Sequence, residues 1–462
     1  MDLNNTSGRI KEMINTNLPA NEYEEYCKLI NSKLLNLQNC FSSGTQAIIP
    51  FLNDITNVIN SEIQLPKEMF INNNFLDKII SLFNENNFDL IMTLSKFLSR
   101  ILFITNGLTE YFPPKFLKFL MKLVLSAPEN SDINYLINLM CNISSEVDCK
   151  NKSGKYLDEV LNAYGSRQVT IAFMTFIFNM TAQAKTSEKF VHFIFSAIQG
   201  GNQEIVRIGL WTLSNYAKSH GYGATNIIVS NLEFLLNLFG STDVPNLIEP
   251  ILSIFSYCLK FDSCNPSQFP IDYILKLCKN ENQTIQFASL QFIRIASSKD
   301  PLLLIQSGVL SLMEITEASY RVNYLIVWVI SQILAASEME VLEQLPLMDM
   351  LQFLFSKMEG ENLQNLVLRN IWGMKITMDF SEKFSLFSQL LENTGGYEIL
   401  EDLMYSENES VSDAARLIVK PPELGGLNKT LRDLAKDYSL DDDDINDKST
   451  TTPKIKFVYN PK

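Results

Sequence analysis

The sequence predicts an all-α fold, a solenoid of helical repeats. Three observations point there. Apolar residues recur at three- and four-residue steps over most of the 462 residues. Glycine and proline are scarce, at 18 and 16, and no strand-like alternation bounded by hairpin dipeptides is present. Short polar breaks divide the helical pattern at intervals that repeat. A repeat array lengthens without one growing core, so the length does not call for two or three ordinary domains.

Residues 1–22 are polar and are expected to be a flexible segment. From Tyr23 the pattern turns helical, with Tyr23, Tyr26, Leu29, Ile30, Leu34 and Leu35 spaced for one face. Amphipathic segments then alternate with breaks as far as Lys420, and residues 23–420 read as one array. The breaks hold Gly, Asn, Ser, Asp or Pro, as in Ser42–Gly44, Pro128–Asp132, Gly200–Asn202 and Gly240–Asp243. The turn is clearest in Leu304–Leu312, where Gly308 suits a left-handed helix C-cap. The segment from Asn393 to Arg416 is richer in charge than the interior, as a capping repeat with a solvated outer face should be. After Lys420 come Pro421-Pro422, Gly425-Gly426, one short helical stretch near 427–438 and the run Asp441–Asp444. Residues 421–462 are expected to be an acidic, largely disordered tail whose charge serves solubility.

Leu210-Trp-Thr-Leu-Ser-Asn-Tyr-Ala217 carries the strongest repeating feature. Trp211 and Asn215 are four apart and stack on one helix face, while Leu210 and Leu213 turn inward. Aligning segments on Asn215 gives positions 142, 179, 215, 257, 294, 332 and 376, with steps of 37, 36, 42, 37, 38 and 44. A weaker copy, Phe97–Arg100, lies 42 before Asn142. A spacing of about 40 is that of the helical armadillo/HEAT class, and the array holds about eight to ten such units. An Asn side chain offers a donor and an acceptor to the main chain of an extended peptide. An indole beside it offers a flat face for a Lys or Arg stem and a cation–π contact for its head. Repeated along a concave groove, the pair would form a peptide-binding ladder; taken singly, Trp328 and Trp372 read equally well as core anchors.

The formal charge is -14. Binding phosphate needs a basic face, so nucleic acid is not an expected partner. The acidity fits either basic partners or ordinary solubility. The seven cysteines contain no C-x-x-C pair and sit mostly in apolar helical stretches, so they read as reduced core residues of a reducing compartment. No secretory leader or membrane span is expected. Asn142 and Asn179, although followed by glycosylation-type spacing, are therefore read as unmodified. The only two histidines are His192, in the apolar run Phe190–Phe195, and His220, at the end of a helix starting near Gly209. His192 reads as a core or half-buried side chain, and His220 ends its helix where the dipole favours a cation. No phosphate loop, nucleophile elbow, H-E-x-x-H or dinucleotide fingerprint occurs, so no enzyme, cofactor or metal is expected.

These residues resemble the importin-α (karyopherin-α) family of armadillo adaptors. Trp211–Asn215 resembles its repeat signature, Ser256-Tyr257 a variant with Tyr for Asn, Ile305–Leu312 its inter-repeat turn, and Gly395–Leu403 with Glu407–Glu409 and Ala414-Ala415 its last repeat. The resemblance spans roughly residues 80–420. It implies a right-handed superhelical solenoid and a nuclear-import adaptor that shuttles between cytoplasm and nucleus. Such an adaptor holds Lys/Arg-rich nuclear-localisation peptides extended along its groove. Carried over by position, the major site is Asn142, Asn179, Trp211 and Asn215, and the minor site Trp328, Gln332 and Trp372. Importin-β and an export receptor are the further partners implied. The sequence departs from the family at Asn138 and Thr175, which stand where tryptophans would, at Gln183, which stands for an acidic residue with Glu146 and Asp148 as substitutes, and at Ile376. Its first 40 residues mix Arg9, Lys11, Lys28 and Lys33 with Asp2, Glu12, Glu22, Glu24 and Glu25, so no basic importin-β-binding segment is recognisable. The competing expectation is an armadillo scaffold for protein–protein interaction unrelated to import.

Overall fold

A computed structural model of the protein describes residues 19–41, 44–85, 87–113, 115–128, 131–146, 154–164, 167–183, 187–315 and 318–419. Of the segments expected to be flexible, residues 1–18 of the stretch 1–22 and the tail from 421 lie outside the described residues. Every regular element within them is helical. The first helix starts at Ala20, three residues before the expected Tyr23. The described chain falls into two compact units, residues 19–231 and 232–419, within what the period marks as one array.

The first unit comprises α1 (Ala20–Cys40), α2 (Thr45–Val58), α3 (Glu68–Ile71), α4 (Phe75–Ser81), α5 (Phe88–Ile104), α6 (Phe116–Ser126), α7 (Asn134–Glu146), α8 (Gly154–Tyr164), α9 (Ile171–Met180), α10 (Glu188–Gly200), α11 (Gln203–His220) and α12 (Tyr222–Val229). Helices α2, α5, α7, α9 and α11 pack one on the next as an inner row, with the others against them on the outside. The second unit comprises α13 (Leu232–Ser241), α14 (Pro245–Lys260), α15 (Ile271–Leu277), α16 (Gln283–Ser297), α17 (Pro301–Gln306), α18 (Tyr320–Ala336), α19 (Met339–Leu342), α20 (Leu347–Ser356), α21 (Glu361–Phe380), α22 (Phe384–Asn393), α23 (Gly396–Leu403) and α24 (Glu409–Val419). Its inner row is α14, α16, α18, α21 and α24. Five inner helices in each unit accord with the eight to ten repeats the period predicts.

Six of the described helices start at a capping side chain. Asn87, Thr170, Asn202, Asn282, Asp300 and Ser319 cap α5, α9, α11, α16, α17 and α18 by accepting from free N–H groups of the first turn. Gly308, past the end of α17, has φ +83°, the left-handed turn expected there. The rows are closely packed. A Cβ on Gly209 of α11 would lie 2.7 Å from Cγ1 of Ile198, so only glycine lets α11 approach α10 at that point. Tyr216 of α11 is fully buried against Phe190, and its hydroxyl accepts a hydrogen bond from the Ser187 N–H at 2.8 Å.

His192 is exposed on α10, not core or half-buried as expected, because its turn of that helix faces outward. His220 closes α11, which begins at Gln203, six residues before the Gly209 start read from the sequence. Its Nδ1 lies 3.2 Å from the Tyr216 carbonyl oxygen.

Candidate peptide-binding face

The inner helices separate the expected site residues into two kinds. Asn142 on α7 is 0% exposed. Its side-chain N–H donates to the Ser99 carbonyl of α5 at 3.0 Å and reaches the Ser99 hydroxyl at 3.2 Å. Asn179 on α9 is 6% exposed and donates to the Cys141 carbonyl and the Ser144 hydroxyl of α7, both at 3.3 Å. The expectation that these two amides face a groove is corrected: they staple each inner helix to the one before it. Asn138 and Thr175, one turn earlier, are buried as well. Sequence reasoning missed a third staple. Asn370 on α21 donates to the Ser331 hydroxyl of α18 at 2.7 Å. The shared signal was an Asn on an inner helix with a Ser 35 to 43 residues upstream.

Trp211 and Asn215 differ. Both are half-buried on α11, one helical turn apart. The Asn215 Nδ2 is shielded from water and has no hydrogen-bond partner. One turn before Trp211, Arg207 is tied to Glu204 by a two-pronged ion pair at 2.9 and 2.5 Å. Part of a ladder rung therefore survives here: an accessible indole, and beside it an amide with an unused donor.

In the second unit, Trp328 and Gln332 are half-buried on α18. Tyr320, Tyr324 and Trp328 form a stripe at four-residue steps, with ring centroids 6.4 and 5.8 Å apart. The Arg294 guanidinium of α16 sits over the Trp328 ring, 4.8 Å from its centroid. That is the place a peptide cation would take, so the chain's own arginine fills the expected cation–π position. Burial pushes the Tyr324 hydroxyl up to about 12, partly offset by the Arg294 charge.

Trp372 is corrected from groove to core. It is 5% exposed, and its indole N–H is buried without a partner. The Lys375 ammonium, paired with Asp379, lies 5.8 Å from its ring. The cause is register. Asn370 meets Ser331, and a Cβ on Gly373 would lie 3.1 Å from Cβ of Ala335, so α21 turns Trp372 inward and leaves Asn365, Arg369, Gly373 and Ile376 half-buried. The Gln183, Glu146 and Asp148 side chains lie outside the described residues.

Cys141, Cys258, Cys264 and Cys278 are buried free thiols, and Cys27 and Cys40 are half-buried; Cys149 is outside the described residues. Among the described residues no helix is long and apolar enough to cross a membrane, and no cluster of His, Cys, Asp or Glu could hold a metal.

No family model and no curated protein matches the sequence. Solved structures do match. An engineered protein is similar over 85% of this chain and 98% of its own, with a TM-score of 0.64 at 14% identity. A chain from work on a phosphorylation switch in the cadherin–β-catenin interaction is similar over 89% of this chain and 99% of its own, with a TM-score of 0.52 at 14% identity. A computationally designed armadillo repeat protein for modular peptide recognition covers 49% of this chain and 98% of its own, at a TM-score of 0.43 and 18% identity. At such identities the likeness speaks to architecture, and with the helical rows described above it assigns the chain to the all-α solenoids of armadillo-like repeats.

Proposed function

We propose that the chain is a non-enzymatic interaction scaffold that binds an extended peptide at the Trp211–Asn215 rung. The observation that carries this reading is the unused amide donor of Asn215 beside a half-exposed indole. A shielded donor without a partner costs about 1–3 kcal/mol, and a peptide carbonyl would recover it. The terminal torsion of an Asn side chain is soft, so the amide can turn outward to meet the peptide. The indole face then takes the stem of the neighbouring peptide residue, best a Lys or Arg.

The narrower form of this reading is a nuclear-import adaptor for Lys/Arg-rich localisation peptides, shuttling between cytoplasm and nucleus with importin-β and an export receptor as partners. The Trp211–Asn215 signature and the formal charge of -14 support it. The loss of Asn142, Asn179 and Trp372 from the ladder leaves it resting on one rung, which favours the broader scaffold reading.

Fluorescence anisotropy with a labelled Lys/Arg-rich peptide, against wild type, Trp211→Ala and Asn215→Ala, tests both forms. Each variant is expected to weaken binding by about tenfold, the size of one desolvated cation–π contact or one hydrogen bond. Equal affinity for basic and neutral peptides would reject the import role and keep the scaffold. Basic-peptide binding that neither variant changes would reject the rung itself.

A further inference from the structure

The inner helix α14 ends in a turn that brings two cysteines together. Its last three residues are Cys258, Leu259 and Lys260. The Ser263 N–H donates to the Cys258 carbonyl at 2.9 Å, and the Asp262 N–H to the Leu259 carbonyl at 3.1 Å. These are the paired bonds of a Schellman turn, and Asp262 takes its left-handed position with φ +56°. The chain is thereby folded back over the final turn of the helix. Cys264 follows directly after the residue that is bonded to Cys258.

Contacts on either side hold this shape. The Asp262 carboxylate pairs with the Lys299 ammonium, just past the end of α16. The Asn265 N–H donates to the Gln268 side-chain carbonyl at 2.8 Å, and the Gln268 N–H to the Asn265 carbonyl at 3.1 Å. Cys264 is therefore clamped between two turns, each with its own hydrogen bonds.

Cys258 is 0% exposed and Cys264 6%. Both are free thiols, and their side chains are hydrogen-bonded to each other. That bond divides their chemistry. By donating to the Cys264 sulfur, the Cys258 thiol holds Cys264 below the usual thiol range, although burial acts the other way. The same bond, together with burial, pushes Cys258 up. In Cys141 and Cys278 burial acts unopposed and pushes both thiols up. The thiolate is the reactive form of cysteine, and a redox-sensing pair consists of one low thiol with a second sulfur in reach.

We propose that Cys258 and Cys264 are a reversible redox pair, closed to a disulfide when a hydroperoxide oxidises Cys264. The Cys264 thiolate attacks one peroxide oxygen. An S–O bond forms, the O–O bond breaks, and the leaving oxygen takes up the proton that Cys264 gave up, to become an alcohol, or water when the oxidant is hydrogen peroxide. The Cys258 sulfur then attacks the sulfenic acid. An S–S bond forms, the S–O bond breaks, and the departing hydroxide leaves with the Cys258 proton as water. Two electrons pass from the sulfurs to the peroxide, and a dithiol reductant returns them. Because the two sulfurs are neighbours in the reduced fold, the second step needs no large rearrangement and outruns further oxidation of Cys264. The disulfide ties the end of α14 to the loop leading into α15, beside the stacked Tyr257 and Phe261 rings.

The test uses the full chain, reduced with dithiothreitol and then exposed to rising hydrogen peroxide until Cys27 or Cys40 is oxidised. Remaining thiols are blocked, and the digest is read by mass spectrometry. The expected product is Cys258 joined to Cys264, lighter by two hydrogens than the reduced pair and restored by dithiothreitol. In Cys258→Ser, which removes the resolving sulfur, capture of Cys264 sulfenic acid by dimedone should rise by about tenfold over the wild type. In Cys264→Ser, Cys258 should stay a free thiol under the same exposure. Circular dichroism checks that each variant keeps its helices, and the wild-type measurement needs no substitution. Oxidation of Cys27 or Cys40 while Cys258 and Cys264 stay reduced overturns the proposal. So does a link that forms only after urea has unfolded the chain, because the native placement would then play no part. Equal dimedone capture at Cys264 in the wild type and in Cys258→Ser overturns it as well.

Discussion

Replacing Asn142 by alanine separates the two roles that one sequence signature can play. The side chain is fully buried, and its N–H is committed to the carbonyl and hydroxyl of Ser99 on the preceding inner helix. Removing it leaves the Ser99 hydroxyl without that donor, a loss of about 1–3 kcal/mol for a buried partner. It also leaves a void the size of an amide group. At about 24 cal/mol per Å³, a residual cavity of about 40 Å³ adds about 1 kcal/mol. The total is about 2–4 kcal/mol. Asn215→Ala has no such cost, since the donor it removes is shielded and unpaired in the free protein; it should leave stability unchanged or raise it, by at most about 1–3 kcal/mol. The assay is urea unfolding followed by circular dichroism at 222 nm, run beside peptide binding. Asn142→Ala should lower the unfolding midpoint and leave affinity unchanged, and Asn215→Ala should weaken affinity without lowering the midpoint. A cycle with Ser99→Ala should give a coupling of about 0.5–1 kcal/mol through the hydroxyl contact. If Asn142→Ala changes stability by less than about 0.5 kcal/mol and weakens peptide binding, the staple assignment is wrong.

Gly209→Ala should destabilise the first unit by about 1–3 kcal/mol, because its Cβ would lie 2.7 Å from Cγ1 of Ile198, and Ile198→Ala, which removes that atom, should cost less in the Gly209→Ala background than in the wild type in the same unfolding assay. Tyr324 is raised to about 12 by burial, so the unfolded chain ionises first, near the ordinary tyrosine range. Its contribution to stability is then complete below about pH 10 and lost between about pH 10 and 12; the fall across that window should be shallower in Tyr324→Phe. Burial raises the Cys141 and Cys278 thiols, so a thiol reagent at pH 8 should modify Cys27 and Cys40 in the folded protein well before either, as peptide mass mapping would show.

The repeat architecture was legible because its signals are local and recur. Helix-period spacing, capping Asn and Ser residues and the Gly308 turn each act over a few residues, and the structure uses them where the sequence places them. The site was legible only in part. An Asn on an inner helix can satisfy its amide against the next helix or against a ligand, and the choice depends on the rotation of the helix about its axis, which spacing along the chain does not fix. Asn142 and Asn215 share the signature and face different ways. Trp372 failed for a related reason. The step of 44 residues from Gln332 to Ile376 hid a slip in register, which the contacts of Asn370 and Gly373 reveal. Arg294 over Trp328 joins residues 34 apart in sequence, and no periodicity argument points to that pairing.

The staples also behave as standard connectors. Ser99, Ser144 and Ser331 present hydroxyls forward, and Asn142, Asn179 and Asn370 present amides back. Helix α7 carries both halves, a plug toward α5 and a socket toward α9. Deleting the repeat built on α7 would bring Asn179 up against Ser99, a donor meeting the same kind of acceptor. The joint between neighbours is thus interchangeable although the faces beside it are not. A lineage could gain or lose a repeat here and keep its fold while changing what it binds.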